Sequence, residues 1–155
     1  MLDKRFTIEN EKEMQKLWKE NHAFEFKGQD NRRIYSVDTP PPTVSGKLHI
    51  GHIFSFTQSE MMVRYHRLKG ENVYYPFGFD DNGLPTERLV EREEGIIAKN
   101  LPRSEFIEKC NETKDKYIKE FQSLFQQLGI SADWNLGYDT INELSRKVSQ
   151  RSFID

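Results

Sequence analysis

A chain of 155 residues can bury a core of its own and fits one domain. Its formal net charge of −2 excludes a generally cationic nucleic-acid coat, so any nucleic-acid contact has to be a local patch. A single cysteine, Cys110, excludes a disulfide within the chain and fits a reducing cytoplasm, and no run approaches the roughly 20 apolar residues that a membrane span needs.

Residues 10–21 predict a short helix. Asn10 and Glu13 are spaced as an N-cap and capping-box pair, and Met14, Leu17 and Trp18 share one stripe. Lys4, Arg5, Lys12, Lys16 and Lys19 read as a solvated cationic face. A polar turn, Gly28-Gln29-Asp30-Asn31, leads to a strand over 33–38. Residues 49–69 predict a long helix that turns Ile53, Phe54, Met61, Met62, Tyr65 and Leu68 towards the core. Arg64, His66, Arg67 and Lys69 suit the negative end of its dipole, and Gly70 suits its stop. Residues 72–77 are almost continuously apolar, the pattern of a strand buried on both faces of a parallel sheet. A loop over 78–85 and a charged helix over 86–94 follow, ended by Gly95. A long helix over 104–128 carries an apolar face of Phe106, Ile107, Cys110, Tyr117, Ile118, Phe121, Leu124, Phe125 and Leu128, and Gly129 stops it. A short extended piece over 137–140 and a polar helix from 142 close the chain. Trp18 and Trp134 read as packing residues.

Strand, helix, strand in this order is a βαβ unit, so the expected class is α/β, a parallel sheet with flanking helices. In open sheets of this class ligands bind beyond the carboxyl ends of the strands. Two loops leave such ends, 39–47 and 78–85, and they should face each other across one crevice. The first holds Pro40, Pro41 and Pro42. None can donate a backbone hydrogen bond, and each drives the residue before it to extended backbone. The loop feeds, through Ser45-Gly46, a helix N-terminus bearing His49 and His52.

A helix start offers unpaired N–H groups and partial positive charge, which is a natural phosphate seat. Two imidazoles there can donate to a polyphosphate and stabilise the charge that builds when its α-phosphorus is attacked. Gly51 between them leaves room for a flat base. As zinc ligands the two histidines would need further ligands at suitable spacing, and none is legible, so no metal site is assigned. Gly46-Lys47 lacks the earlier glycine and the following Ser/Thr of a P-loop. The second loop, Asp80-Asp81-Asn82-Gly83, has the composition of a plain turn. At the end of a buried strand it also suits a carboxylate that holds a substrate ammonium, a ribose hydroxyl or a phosphate-bound Mg²⁺. Thr86, Glu87 and Arg88 read as a helix start.

The run P-P-P-T-V-S-G-K-L-H-I-G-H resembles the HIGH signature of class I aminoacyl-tRNA synthetases. With G-F-D-D-N-G-L-P-T-E-R it is similar to their valine, isoleucine and leucine branch, and Thr43 and Phe79 tilt the resemblance to the valine-specific members. The likeness spans nearly the whole chain, including the late D-W-N and S-Q-R-S-F-I-D. It implies a Rossmann-like catalytic domain that activates L-valine with ATP and Mg²⁺ and transfers it to tRNA(Val). By position it implies ATP contacts from Thr43, Gly51, His49 and His52, the two histidines being catalytic. It implies a valine pocket from Pro42, Thr43, Asp80 and Asn82, with Asp80 on the ammonium, and no zinc. The second family signature, a lysine-rich KMSKS loop, is not among these residues. The resemblance therefore implies that residues 1–155 are the N-terminal portion of the catalytic domain, with 1–32 as a helical lead-in. Two other readings stand beside it: a compact H-x-G-H nucleotidyltransferase, and a non-catalytic ATP-binding or interaction module.

Overall fold

The computed structural model describes residues 5–154; Met1–Lys4, and so Lys4 of the cationic face, and Asp155 lie outside the described residues. Helix α1 runs Ile8–Glu20, earlier than the sequence pattern predicts. Thr7, not Asn10, is its N-cap: the Thr7 Oγ1 accepts from the Asn10 N–H at 3.1 Å. The earlier start puts Glu9 and Glu11 in the first turn, where the helix dipole favours acids.

The expected strand–helix–strand unit is present as β1 (Ile34–Ser36), α2 (Ile50–Leu68) and β2 (Asn72–Tyr74). β1 and β2 pair in parallel, with Ile34 opposite Asn72 and Ser36 opposite Tyr74. The chain passes through Tyr75 into β3 (Pro76–Phe79), which pairs in parallel with β4 (Asp133–Asp139). The run expected over 72–77 is thus longer and changes partner midway, with Pro76, which lacks an N–H, at the change-over. β4 is also longer than the 137–140 segment predicted. Trp134 packs on Phe77, ring centroids 4.9 Å apart, and so belongs to the sheet and not to a connecting loop. Gly78 is required by β4: a Cβ there would lie 2.2 Å from the Tyr138 ring.

Helices α3 (Leu84–Glu94), α4 (Arg103–Gln127) and α5 (Glu143–Ile154) complete the chain, with a single 3₁₀ turn at Ala98–Asn100. α3 starts before the predicted residue 86, with Pro85 in its first turn, and ends on Gly95 in the left-handed conformation, φ 64°. Phe77 is the hub of the core. Phe56 of α2 and Phe125 of α4 approach it at 5.2 and 5.0 Å, and each other at 4.8 Å. Such aromatic contacts each add about 0.5–1.5 kcal/mol beyond the area they bury.

The buried face of α2 is not the predicted one. Ile53, Phe54, Met61, Met62, Tyr65 and Leu68 are all exposed; Phe56, Glu60 and Val63 are buried. The helix is apolar on more than one side, so periodicity alone selects the wrong stripe. What fixes the true one is polar. Glu60 accepts from the Ser131 N–H at 2.9 Å and from Arg64 Nε at 2.7 Å. Arg64 donates to the Gly129 carbonyl at 2.6 Å, and Arg67 to those of Ser131 and Phe24 at 2.7 and 3.2 Å. The turn after α4 would otherwise leave the Gly129 and Ser131 backbone groups unpaired. Likewise Ile107, Leu124 and Leu128 of α4 are exposed, and its buried face is Phe106, Thr113, Lys114, Tyr117, Phe121 and Phe125.

Candidate active site

His49 is the N-cap of α2, in extended backbone at φ −126° and ψ 169°. Its Nδ1 accepts from the Gly51 N–H at 3.1 Å, and His52 Nδ1 accepts from the His49 N–H at 3.3 Å. The two imidazoles thus cap the helix reciprocally, doing what Ser and Glu do in a capping box. Because both Nδ1 atoms accept, the hydrogen bonds assign the mobile proton of each ring to Nε2. Neither Nε2 has a partner among the described residues. The site therefore offers two N–H donors, their rings 3.9 Å apart and tilted by 31°, at the positive end of a 19-residue helix. Burial, and after it the neighbouring His49 ring, hold the His52 imidazole below its ordinary pKa. Gly51 has a local reason besides room for a ligand: a Cβ would sit 2.9 Å from His49 Cε1 and push the ring off its cap.

The proline loop returns to the strand ends as expected. Thr43 and Asp80 form a parallel bridge, in which the Asp80 N–H donates to the Pro42 carbonyl at 2.9 Å and the Val44 N–H to the Asp80 carbonyl at 2.7 Å. Pro42 and Val44 are buried, and the Thr86 hydroxyl pins the Val44 carbonyl at 3.0 Å. Thr86 is thus more than a helix start. His49 follows five residues after Val44, so the chain that touches Asp80 runs directly into the histidine cap.

The two adjacent acids are treated unequally. Asp81 is buried and saturated on one oxygen: its Oδ1 accepts from the Thr140 hydroxyl at 2.7 Å and from the Ile141 N–H at 2.8 Å. Its Oδ2 faces Lys114 Nζ at 3.3 Å. Asp80, half-buried, has only long contacts, 3.4 Å from the Thr43 hydroxyl and 3.2 Å from the Thr140 hydroxyl. Lys114 also reaches Asp139 at 3.5 Å and Asp115 at 3.3 Å. Burial disfavours its ammonium, but Asp139, Asp81 and Asp115 outweigh burial and hold its pKa above the ordinary lysine value. Asn82 is exposed beside Asp81.

The structure thus brings Pro42, Thr43 and Asp80 into contact, and His49, Gly51 and His52 into one cap. Sequence reasoning missed Lys114 and Thr140. Lys114 was legible as a charge inside an apolar stripe, between Cys110 and Tyr117 at helical spacing; Thr140 left no signal. A cavity of about 710 Å³ opens elsewhere, lined among others by Lys12, Lys16, Trp18, Phe24, Ile130 and Trp134, and none of the site residues lines it. No three His, Cys, Asp or Glu gather as metal ligands among the described residues, and no helix among them is long and apolar enough to cross a membrane.

Comparison with known proteins identifies the family and the fold. The family model for class I tRNA synthetases (I, L, M and V) matches residues 13–155. The chain is 53 % identical over 148 residues to the valine–tRNA ligase of Rickettsia felis, covering 95 % of this chain and 17 % of the relative. Against that of Rickettsia typhi it is 53 % identical over 149 residues, 96 % of this chain and 18 % of the relative. The chain therefore spans less than a fifth of the length of these curated relatives. A solved LeuRS from Agrobacterium radiobacter, in ternary complex with tRNA and LeuAMS, superposes with a TM-score of 0.77 at 23 % identity, over 94 % of this chain and 17 % of that one. The last likeness shows the fold, a Rossmann-like α/β arrangement of parallel strands and flanking helices. The match of all but the first twelve residues to one family model settles the membership: the chain belongs to the class I tRNA synthetases of the isoleucine, leucine, methionine and valine group.

Proposed function

We propose that this chain is the N-terminal portion of the catalytic domain of a valine–tRNA ligase, with residues 1–32 as a lead-in to its nucleotide fold. In the whole enzyme a valine carboxylate oxygen attacks the α-phosphorus of ATP, and the bond from that phosphorus to the oxygen bridging it to the β-phosphate breaks. Pyrophosphate leaves, and the valyl group then passes to a tRNA(Val) hydroxyl as AMP leaves. His49 and His52 donate from Nε2 to phosphate oxygens, and the helix start adds its partial positive charge as the transition state gains charge. Asp80 accepts from the valine ammonium. Pro42 and Thr43 wall the pocket, Asn82 lies at its edge, and Gly51 admits the adenine. Mg²⁺ would arrive on the ATP phosphates; the described residues offer no cluster of their own to hold it.

The observation that carries this reading is the contrast between neighbours: Asp81 is neutralised and bonded, while Asp80 keeps carboxylate capacity for a cation beside the loop that leads to the histidine cap. The naming of relatives about half identical as valine–tRNA ligases supports the choice of amino acid. The test is amino-acid-dependent ATP–pyrophosphate exchange by the full polypeptide that carries these residues. Exchange is expected with valine and to fall about 10²-fold in kcat in His49→Ala, the size of effect seen when one donor to a transition-state oxyanion is removed. Exchange that ignores the amino acid would overturn the assignment to valine, and an unchanged kcat in His49→Ala would overturn the site.

A further inference from the structure

Three carboxylates, Asp80, Asp81 and Asp139, come together where β3 and β4 end. Left to themselves they would repel one another. Thr140 is the residue that touches both members of the loop pair. Its backbone N–H donates to the Phe79 carbonyl at 3.1 Å, which ties it to the end of β3. Its Oγ1 accepts from the Asp81 N–H at 3.1 Å and lies 2.7 Å from Asp81 Oδ1 and 3.2 Å from Asp80 Oδ1. A hydroxyl has one proton, and the shorter distance gives it to Asp81. With that proton on Asp81, Thr140 Oγ1 has none to donate to Asp80; what Thr140 fixes is the Asp81 backbone and carboxylate next to Asp80, and the Asp80 charge is left unconsumed. Lys114 completes the separation: it faces Asp81 at 3.3 Å and Asp139 at 3.5 Å, and it has no ion pair with Asp80.

We propose that Thr140 is a positioning residue for the Asp80 carboxylate: by accepting from the Asp81 N–H and donating to Asp81 Oδ1 its hydroxyl fixes the Asp80–Asp81 turn, and it leaves Asp80 as the acid that meets an incoming ammonium group. Thr140 touches no substrate in this account and acts through Asp80. The proposal rests on Asp80 being the amino-acid seat, and its test is arranged to tell the two apart.

The experiment measures KM for valine, KM for ATP and kcat in ATP–pyrophosphate exchange by the full polypeptide, for Thr140→Val, Thr140→Ser and Asp80→Asn. Thr140→Val keeps shape and loses the hydroxyl. It is expected to raise KM for valine about tenfold while KM for ATP stays within twofold, and Thr140→Ser is expected to restore valine binding to within twofold. A purely structural role would move both KM values together or lower the folded fraction, and Thr140→Ser would not restore one substrate selectively. If Asp80→Asn raises KM for valine but Thr140→Val does not, positioning by Thr140 is wrong and the seat stands. If Thr140→Val raises both KM values, positioning is again wrong. If Asp80→Asn leaves KM for valine unchanged, the seat itself is wrong and the proposal falls with it. Should Thr140→Val fold poorly, Thr140→Ser and Thr140→Cys replace it as a graded pair, and equal KM for valine in the two would overturn the proposal.

Discussion

At the scale of single residues, the unusual feature is a helix capped by imidazoles. Ser or Asp would cap α2 as well, but neither would leave an N–H donor on the far side of the ring. The cap also sets a pH limit. Protonating His52 puts a hydrogen on Nδ1, the atom that accepts from the His49 N–H, and places positive charge at the positive end of the helix. Burial first, and the His49 ring second, both favour the neutral form, so the folded midpoint lies below the unfolded value of about 6.5. Between the two midpoints the unfolded chain binds more protons. The contribution to stability is therefore complete above about pH 6.5 and is lost as pH falls through the folded midpoint. An NMR titration of the His52 ring is expected to give a midpoint below about 6.5, and His49→Ala is expected to move it upward. A wild-type midpoint at or above that value, or a downward move in the variant, would show that the ring environment is not as described.

At the scale of elements, α4 reaches the strand ends through a buried charge. Lys114 sits on a face otherwise made of Phe106, Thr113, Tyr117, Phe121 and Phe125, and its partner Asp81 is fully enclosed. Breaking such a pair leaves an uncompensated buried acid, which typically costs about 3–5 kcal/mol. Lys114→Met is expected to lose that order of stability in chemical denaturation, and Lys114→Arg clearly less. Equal losses in the two would mean that packing, and not charge, is what Lys114 supplies. This pair also marks the limit of what periodicity and composition reveal. The order of elements, the parallel β1–β2 pair, the two facing loops and the histidines at a helix start follow from apolar runs, prolines and glycines, which act locally. The burial of α2 does not, because its outcome depends on Glu60, Arg64 and Arg67 finding backbone partners at Phe24, Gly129 and Ser131. Nor does the difference between Asp80 and Asp81, since both read as turn residues until Thr140 and Lys114, each more than thirty positions from Asp81, close around one of them. Long-range polar contacts of this kind leave no period in the chain.

At the scale of the whole molecule, the choice of α2's inner face has an external consequence. Ile50, Phe54, Met61 and Leu68 are 77, 66, 67 and 88 % exposed. Their spacing of four, seven and seven residues aligns them within about 40° around the helix, along roughly 27 Å of its length. On α5, Phe153 and Ile154 are 91 and 79 % exposed. A row of exposed apolar side chains of this length is uncommon on a free monomer, and it drives association when nothing covers it. The stripe makes no contribution to the core around Phe77, so its residues can be changed without removing packing. The 155-residue chain on its own is therefore expected to self-associate, with a light-scattering mass well above 18.4 kDa at concentrations of tens of micromolar or so. The double variant Phe54→Lys, Met61→Lys is expected to return the mass to that of one chain and to leave the thermal midpoint within about 4 °C, the shift that roughly 1 kcal/mol would produce in a domain of this size. A wild-type chain that runs as a monomer would show the stripe to be harmless. Association that persists in the variant would move the cause elsewhere, to the edges of the two-stranded sheets or to α5.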